Sequence, residues 1–469
     1  MTVARSDGSA HNITASEFEA FESSLTGDIL LPTSPGYDEA RQIHNGMIDR
    51  RPAMIVRCKG RTDVSTTVRH CKHNNLLLSV RCGGHSVAGF SVCEGGVMID
   101  LALMNQVDVD PSTRTAKAAG GANWADVDKA TQAHGLATTG GIAPTTGVGG
   151  FTLGGGHGWL MRKHGLACDN LLSAEVVTED GLVLTASQVE NQDLFWGLRG
   201  GGGNFGVVTS FEFQLYPLDK ILGGLLLYPL DVAKQVLRVY HEVAAAAPDE
   251  LGSAFALATH PDAGQVVGVI VCYSGALEEG ERLLRPLRDF KPLIVDQVSR
   301  CEYAVVQGLA EAMNPRGMRN YWKSNSLCDL SDELINLVVD RYCEVPSPHT
   351  HIVFEHLGGA IARIPENATA CHSRKWPFDF LIAGMWDDPN DDDRNIDWVR
   401  SLWNDLQGFA ADGAYTNYMA AEMQEGDGKL RAAYGDETYS RLRALKKRYD
   451  PTNLFRLNQN IRAEENKQD

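Results

Sequence analysis

GGIAPTTGVGGFTLGGGHGWLMRKHGLACDN, residues 140 to 170, is the stretch on which the reading of this chain turns. Glycines crowd positions 147 to 158. Ordering glycine costs more conformational entropy than ordering any other residue, so such a loop is wasteful unless its main chain approaches something closely. A long, flat, polar ligand lying along the backbone would give the segment a purpose.

Two other stretches share this character. SVRCGGHS, Ser79 to Ser86, follows a short apolar strand, and its paired glycines let successive N–H groups converge into an anion-binding nest suited to a pyrophosphate. The His85 imidazole would sit at the end of that cradle. Taken alone, a glycine turn with an incidental histidine explains the stretch equally well. RGGGGNFGVVT, Arg199 to Thr209, reads as a third place of close backbone approach.

The 469 residues are enough for two substantial cores, and 43% hydrophobic with 22% charged residues is ordinary for a globular protein. A formal charge of -17 argues against a nucleic-acid partner, since phosphate binding needs a basic surface. The short basic run Lys446-Lys447-Arg448 reads as a solvated helix end. No apolar stretch approaches the roughly 20 residues that span a bilayer, so no membrane partner is expected. Met1 to Phe18 contains no apolar core of a signal peptide, and the 10 cysteines form no CxxC pair. A cytoplasmic enzyme with reduced thiols is the expectation, one or two disulfides staying compatible with the sequence. The number of subunits is not readable.

From about 50 to 220, short strands and helices alternate: Met54 to Arg57, Leu76 to Val80, Val97 to Leu101 and Val207 to Tyr216 as strands, Thr62 to Asn74 and Trp124 to His134 as helices. Leu171 to Val177 and Leu182 to Thr185 read as a hairpin around Glu179-Asp180-Gly181. Beyond Pro217 the glycine clusters thin out. Ser253 to Thr259, Val266 to Tyr273, His351 to Ile364 and Phe378 to Trp386 read as longer strands. Helices are expected at Asp231 to Ala247, Leu277 to Phe290, Asp332 to Cys343 and Asn395 to Phe409. The fold class is α+β: a first domain over 35–220 with a mixed sheet, a second over 221–448 with an antiparallel sheet covered by helices, and a segment 449–469 returning to the first. One open face of the second sheet would suit a substrate.

The P-loop, zincin and α/β-hydrolase motifs are all missing. Gly201, Gly203 and Gly206 match GxGxxG by spacing, but a dinucleotide fingerprint needs a strand before it and a helix after, and neither is evident. His349, His351 and Glu355 share a strand face, yet nothing nearby completes a strong ligand set, so no metal is expected. The histidines read as surface or substrate-side residues.

RCGGHS, the glycine-rich segment ending in Asp169-Asn170, and RGGGGNFGVVT together resemble the FAD domain of the p-cresol methylhydroxylase type. More narrowly, they resemble the berberine-bridge-enzyme-like FAD-linked oxidases. YDPTNLFRLNQNI, Tyr449 to Ile461, RNYWKS from Arg319 and GAYTNY from Gly413 agree, in family order, over roughly residues 35 to 461. The resemblance implies a two-part FAD domain and FAD bonded covalently to His85. Ala143 stands where some relatives add a second bond through cysteine, so a single attachment is implied. Arg81, Cys82, Gly83, Gly84 and Ser86 would hold the cofactor from the first stretch. Ala143, Thr145, Thr146, Gly149, Gly150, Gly154, Gly155, Gly156, His157, Asp169 and Asn170 would do so from the second. Val208, Asn458 and Asn460 complete the implied set.

The same resemblance makes Tyr418 the catalytic base and Tyr321, Trp322, Lys323, Arg374 and Tyr415 candidates for the substrate pocket. A phenol has an ordinary pKa near ~10, so the site must lower it or couple proton loss to hydride departure. The implied activity is transfer of a hydride from a C–H bond of a small hydroxylated substrate to flavin N5. Thr146, close to valine in shape, stands at the implied gate to the flavin, so O2 is the expected acceptor, giving H2O2. A dehydrogenase with another acceptor, and a flavin carrier without turnover, are the rival readings.

Overall fold

The computed structural model describes residues 1–371, 374–420 and 426–463. The last six residues of the expected C-terminal segment, and His372 and Ser373 just before Arg374, lie outside the described residues. Three sheets of four or more strands, with two two-stranded ones beside them, organise the described residues in an α+β arrangement.

The first sheet has the spatial order Asp28–Leu30, Met54–Arg57, Val97–Asp100, Leu78–Arg81. Met54–Arg57 and Leu78–Arg81 both run parallel to Val97–Asp100. Their continuous apolar runs fit strands buried on both faces, and Met54, Val56, Val97 and Ile99 are fully buried. Helix Arg61–Asn74 makes the crossover and packs Val64, Val68 and Cys71 onto them. Leu78–Arg81 ends where RCGGHS begins, so the nest emerges from the end of a buried strand.

The second sheet is antiparallel, in the order Val183–Ser187, Leu171–Val177, Val207–Gln214, Thr115–Ala119, Val107–Asp110. The expected hairpin is present, and Gly181 takes a φ of 72° in its turn. The GxGxxG spacing lies after helix Gln192–Leu198 and before strand Val207–Gln214, the reverse of the order a dinucleotide fingerprint requires.

The third sheet is a wide antiparallel one. Its path runs Val295–Asp296, Ile221–Pro229, Gly264–Tyr273, Leu251–His260, His351–His356, Phe378–Trp386, Arg319–Leu327. Ile221–Pro229 escapes a pattern reading because Gly223 and Gly224 interrupt it. A Cβ at Gly224 would lie 2.3 Å from the carbonyl oxygen of Gln297, so the neighbouring chain can approach only glycine there. The strand expected over His351 to Ile364 stops at His356, because Gly358 and Gly359 take φ values of 81° and 58° and turn the chain into the short helix Ala360–Arg363. Alternation sends Ile352, Phe354, Phe380 and Ile382 to one face, under helices Ala233–Ala245, Asp332–Tyr342 and Asp392–Leu406. The opposite face carries Ala254, Ala256, Val353 and Leu381 and borders a cavity.

The expected boundary at 448 does not follow the packing. Leu430 and Tyr434 of helix Gly426–Tyr434, with Leu442, Leu445 and Tyr449 of helix Asp436–Tyr449, join the core formed by Phe195, Trp196 and Phe205 of the first domain. Lys446 is not a solvated helix end either. It is fully buried, donating to Asp450 and to the carbonyls of Asn204 and Phe455. Thus Asp450 of the DPTNLF turn and the RGGGGNFG loop are tied by one ammonium group. Among the described residues no cysteine takes part in a disulfide. Among the described residues, no helix is long and apolar enough to cross a membrane.

Candidate active site

The cavity, about 390 Å³, runs between the glycine loops and the uncovered face of the third sheet. Cys82, Gly83, Gly84, His85 and Ser86 line it from the nest; Ala143, Thr146, Gly149, Gly150, Gly154 and His157 line it from the long glycine segment. Val208 and Asn458 border it from the second sheet and the C-terminal turn, and Trp322, Tyr415 and Tyr418 from the substrate side.

The glycines serve two distinct purposes. A Cβ at Gly83 would lie 2.3 Å from the Gly147 nitrogen, and one at Gly147 would lie 2.3 Å from the Gly83 nitrogen, so the nest and the long segment pack main chain against main chain. At Gly150 and Gly203 a Cβ would meet no protein atom within 4 Å, and both residues border the cavity. These two leave room for a bound group. Gly154 is tight for another reason: a Cβ there would strike the Asn417 carboxamide.

His85 is held on both sides. Its Nε2 lies 3.0 Å from the Thr145 hydroxyl and its Nδ1 3.4 Å from that of Thr146, while its ring stacks on His44 at 4.6 Å. Burial, then the neighbouring His44 and Arg316, push its pKa down to about 3, so the imidazole is neutral and keeps a lone pair. The side-chain oxygen of Asn458 and Nδ1 of His44, both bordering the cavity, are buried without a protein partner. A polar, hydroxyl- and amide-bearing group such as FAD fits such a donor and acceptor set.

At the other end, Tyr418 donates to Oε1 of Glu355 at 3.1 Å, and Oε2 of Glu355 lies 3.0 Å from Nδ1 of His157. Nε2 of His157 is 3.9 Å from Asp379. His157 also stacks face to face on Tyr415 at 3.8 Å, and the Tyr415 hydroxyl accepts from the N–H groups of Gly156 and His157 and from Asn417. Tyr415 therefore locks the glycine segment to the TNY turn. Burial opposes the His157 imidazolium, but the hydrogen bond and charge of Glu355, with Asp379 behind, outweigh it and raise its pKa. Burial raises Asp379 to about 6. Burial and then the charge of Glu355 push the Tyr418 phenol well above its ordinary value. The surroundings thus push the Tyr418 phenol up rather than down.

Several expected site residues stand elsewhere. Arg81 forks onto Asp100 across the first sheet, at 3.2 and 3.1 Å. Asp169 receives a buried fork from Arg374, at 2.9 and 2.7 Å, and Asn170 donates to the carbonyls of His164 and Leu166. Arg374 is thus a clamp on the end of the glycine segment, away from the cavity. Tyr321 and Lys323 fall on the helix-covered face, Tyr321 in its core and Lys323 with its ammonium 4.7 Å from the Trp403 ring; alternation leaves Trp322 alone facing the cavity. Thr145, Gly155, Gly156 and Asn460 lie just behind the lining, Thr145 supporting His85. Glu355 and Asp379 were not singled out as catalytic in the sequence. The shared face of His351 and Glu355 was visible, but the long-range pairing that brings it to Tyr418 was not.

The comparisons with known proteins agree with this geometry. A family model described as FAD binding domain matches residues 52–187, and one described as berberine and berberine like matches residues 414–462. The chain is 30% identical over 460 residues to (R)-6-hydroxynicotine oxidase of Paenarthrobacter nicotinovorans, covering 94% of this chain and 98% of that protein. It superposes on the crystal structure of 6-hydroxy-D-nicotine oxidase from Arthrobacter nicotinovorans with a TM-score of 0.85 at 30% identity, covering 93% of this chain and 98% of the other. Berberine bridge enzyme from Eschscholzia californica, at 22% identity over 95% and 98% of the two chains, shares the fold with a TM-score of 0.83.

Proposed function

Because the chain belongs to the berberine-bridge-enzyme-like FAD-linked oxidoreductases, we propose that it holds FAD covalently through His85 and oxidises a small hydroxylated substrate with O2 as the acceptor. The observation that carries this reading is the single cavity joining the His85 nest to the Tyr418–Glu355 pair. Bound there, FAD would supply the two-electron acceptor for the substrate hydride, to be reoxidised by O2 with H2O2 as product.

The chain's own groups do the rest. The neutral His85 imidazole would attach the cofactor through its lone pair, and Ala143 offers no thiol for a second bond. Tyr418 takes the substrate O–H proton as it hands its own to Glu355, 3.1 Å away, so no free phenolate is needed. His157, favoured as imidazolium, and Asp379 stay as a compensated pair beside the neutralised Glu355. Thr146 borders the cavity with its hydroxyl turned to His85, leaving the passage about as open as valine would.

An anaerobic screen of hydroxylated metabolites, scored by bleaching of the flavin band, tests the proposal, and readmission of air then separates an oxidase from a dehydrogenase. A yellow protein that no substrate bleaches would overturn the catalytic reading. Reduced flavin that persists for many minutes in air would overturn the choice of O2.

A further inference from the structure

The floor of the cavity is the uncovered face of the third sheet, and the strand register states what stands where. Glu355 sits between Ala254 and Asp379 on the neighbouring strands. Two residues along, Val353 sits between Ala256 and Leu381. Two further, His351 pairs with Ala383, which pairs in turn with Trp322. The floor thus runs from a carboxylate end, across a strip of methyl and branched side chains, to an imidazole and indole end. Four residue steps along the strand separate Glu355 from His351, about 13 Å between Cα atoms at ~3.3 Å per residue.

His351 is 4% exposed, borders the cavity, and has no part in the Tyr418 cluster. Its Nδ1 lies 3.3 Å from the His349 carbonyl, which commits that N–H and leaves the lone pair on Nε2. Among the described residues, no donor reaches Nε2. Burial pushes the His351 pKa down to about 4, so the acceptor persists at neutral pH. The described residues lining the cavity include no lysine or arginine, and Glu355 is their one carboxylate.

We propose that His351 is a specificity residue: its Nε2 accepts a hydrogen bond from a hydroxyl or N–H at the far end of an uncharged, two-ring, largely apolar substrate. The reacting end of that substrate lies at Tyr418 and Glu355, a placement that rests on the proposed function. With both side chains reaching over the apolar strip, the two polar ends of the ligand are on the order of 10 Å apart. That is the span of two joined aromatic rings. An oligosaccharide carries hydroxyls along its whole length and would strand several against Ala254, Ala256, Val353 and Leu381 without partners, which costs affinity. The one cation at the reacting end, the His157 imidazolium, is already engaged by Glu355 and Asp379, and the His351 end offers an anion only a neutral acceptor.

The test measures binding, apart from turnover. Holoenzyme is titrated with 4,4′-biphenol, 4-phenylphenol, 4-hydroxy-4′-methoxybiphenyl and cellobiose, followed by perturbation of the flavin band and by calorimetry. The diol is expected to bind at least about tenfold tighter than the monophenol. The methoxy compound, which has no distal donor, should behave like the monophenol, and cellobiose should be the weakest. His351→Phe should bring the diol-to-monophenol ratio to within about twofold, and His351→Gln, which restores an acceptor, should recover part of it. Equal binding of diol and monophenol by the wild type, a ratio that survives in His351→Phe, or cellobiose as the tightest ligand would each overturn the proposal. If His351→Phe fails to fold, the methoxy comparison still decides. An enzyme that discriminates as expected but is bleached by no alcohol would refute the proposed function and leave this inference standing; an active oxidase without discrimination would do the reverse.

Discussion

Replacing Glu355 by glutamine keeps the shape of the group that receives the Tyr418 hydroxyl but removes its capacity to take a proton. At pH 7.5 a phenol of ordinary pKa is ionised to well under ~1%, and the burial and charge around Tyr418 reduce that fraction further. The phenol can act as a base only by releasing its own proton in the same event, and the carboxylate oxygen 3.1 Å away is the acceptor within reach. Loss of a positioned proton acceptor slows a step by about 10²–10⁴-fold. Glu355→Gln should therefore slow anaerobic flavin reduction by that range, with the visible spectrum and FAD content kept. Tyr418→Phe should fall in the same range. The double variant should be no slower than the slower single, because the two side chains act as one unit. Stopped-flow reduction by any substrate found in the screen measures all three. A Glu355→Gln enzyme within about threefold of wild type, or a double variant whose loss is the product of the singles, would refute the relay.

Thr146→Leu should slow reoxidation of the reduced enzyme in aerated buffer strongly, with flavin reduction much less affected; equal reoxidation rates in the two proteins would remove Thr146 from the oxygen path. Asp379→Asn should stabilise the fold at pH 8. The wild-type carboxyl titrates near 6 in the fold and near ~3.9 unfolded, so its ionised form is a burden of up to about 3 kcal/mol at pH 8 that is relieved as pH falls through 6 towards 4. The difference in melting temperature between variant and wild type should accordingly shrink from pH 8 to pH 4, and a difference constant with pH would contradict this. Lys446→Met leaves Asp450 buried and unpaired, and should cost about 3–5 kcal/mol in denaturant unfolding; a loss under about 1 kcal/mol would show the tie to be dispensable.

Local patterns gave most of the strands and helices, and they failed where tertiary contact overrode them. Ile221–Pro229 was hidden by two glycines whose purpose is the approach of the Gln297 backbone, visible only once the sheet is assembled. Tyr321, Trp322 and Lys323 were grouped as pocket residues although strand alternation sends Trp322 one way and its neighbours the other. That signal was present in the sequence. Arg374 and Asp169 form a clamp across 205 residues, and no local pattern announces such a pair. Glu355 was read only as part of a discarded metal cluster. Its meeting with Tyr418 depends on the pairing of His351–His356 with Phe378–Trp386 and on the turn held by Tyr415, neither of which spacing reveals. The glycine loops were the most legible part, because where a Cβ would fall 2.3 Å from facing main chain, as at Gly83 and Gly147, no other residue is tolerated.

Whether FAD is bonded to this chain at His85 can be read from one digest. The purified yellow protein is precipitated with acid, washed, cut with trypsin and analysed by fluorescence-detected mass spectrometry. Flavin on the peptide from Cys82 to Arg114, localised to His85 by fragmentation and absent in His85→Ala, is the expected result. Release of all the FAD into the acid supernatant, or flavin on a different peptide, would contradict it.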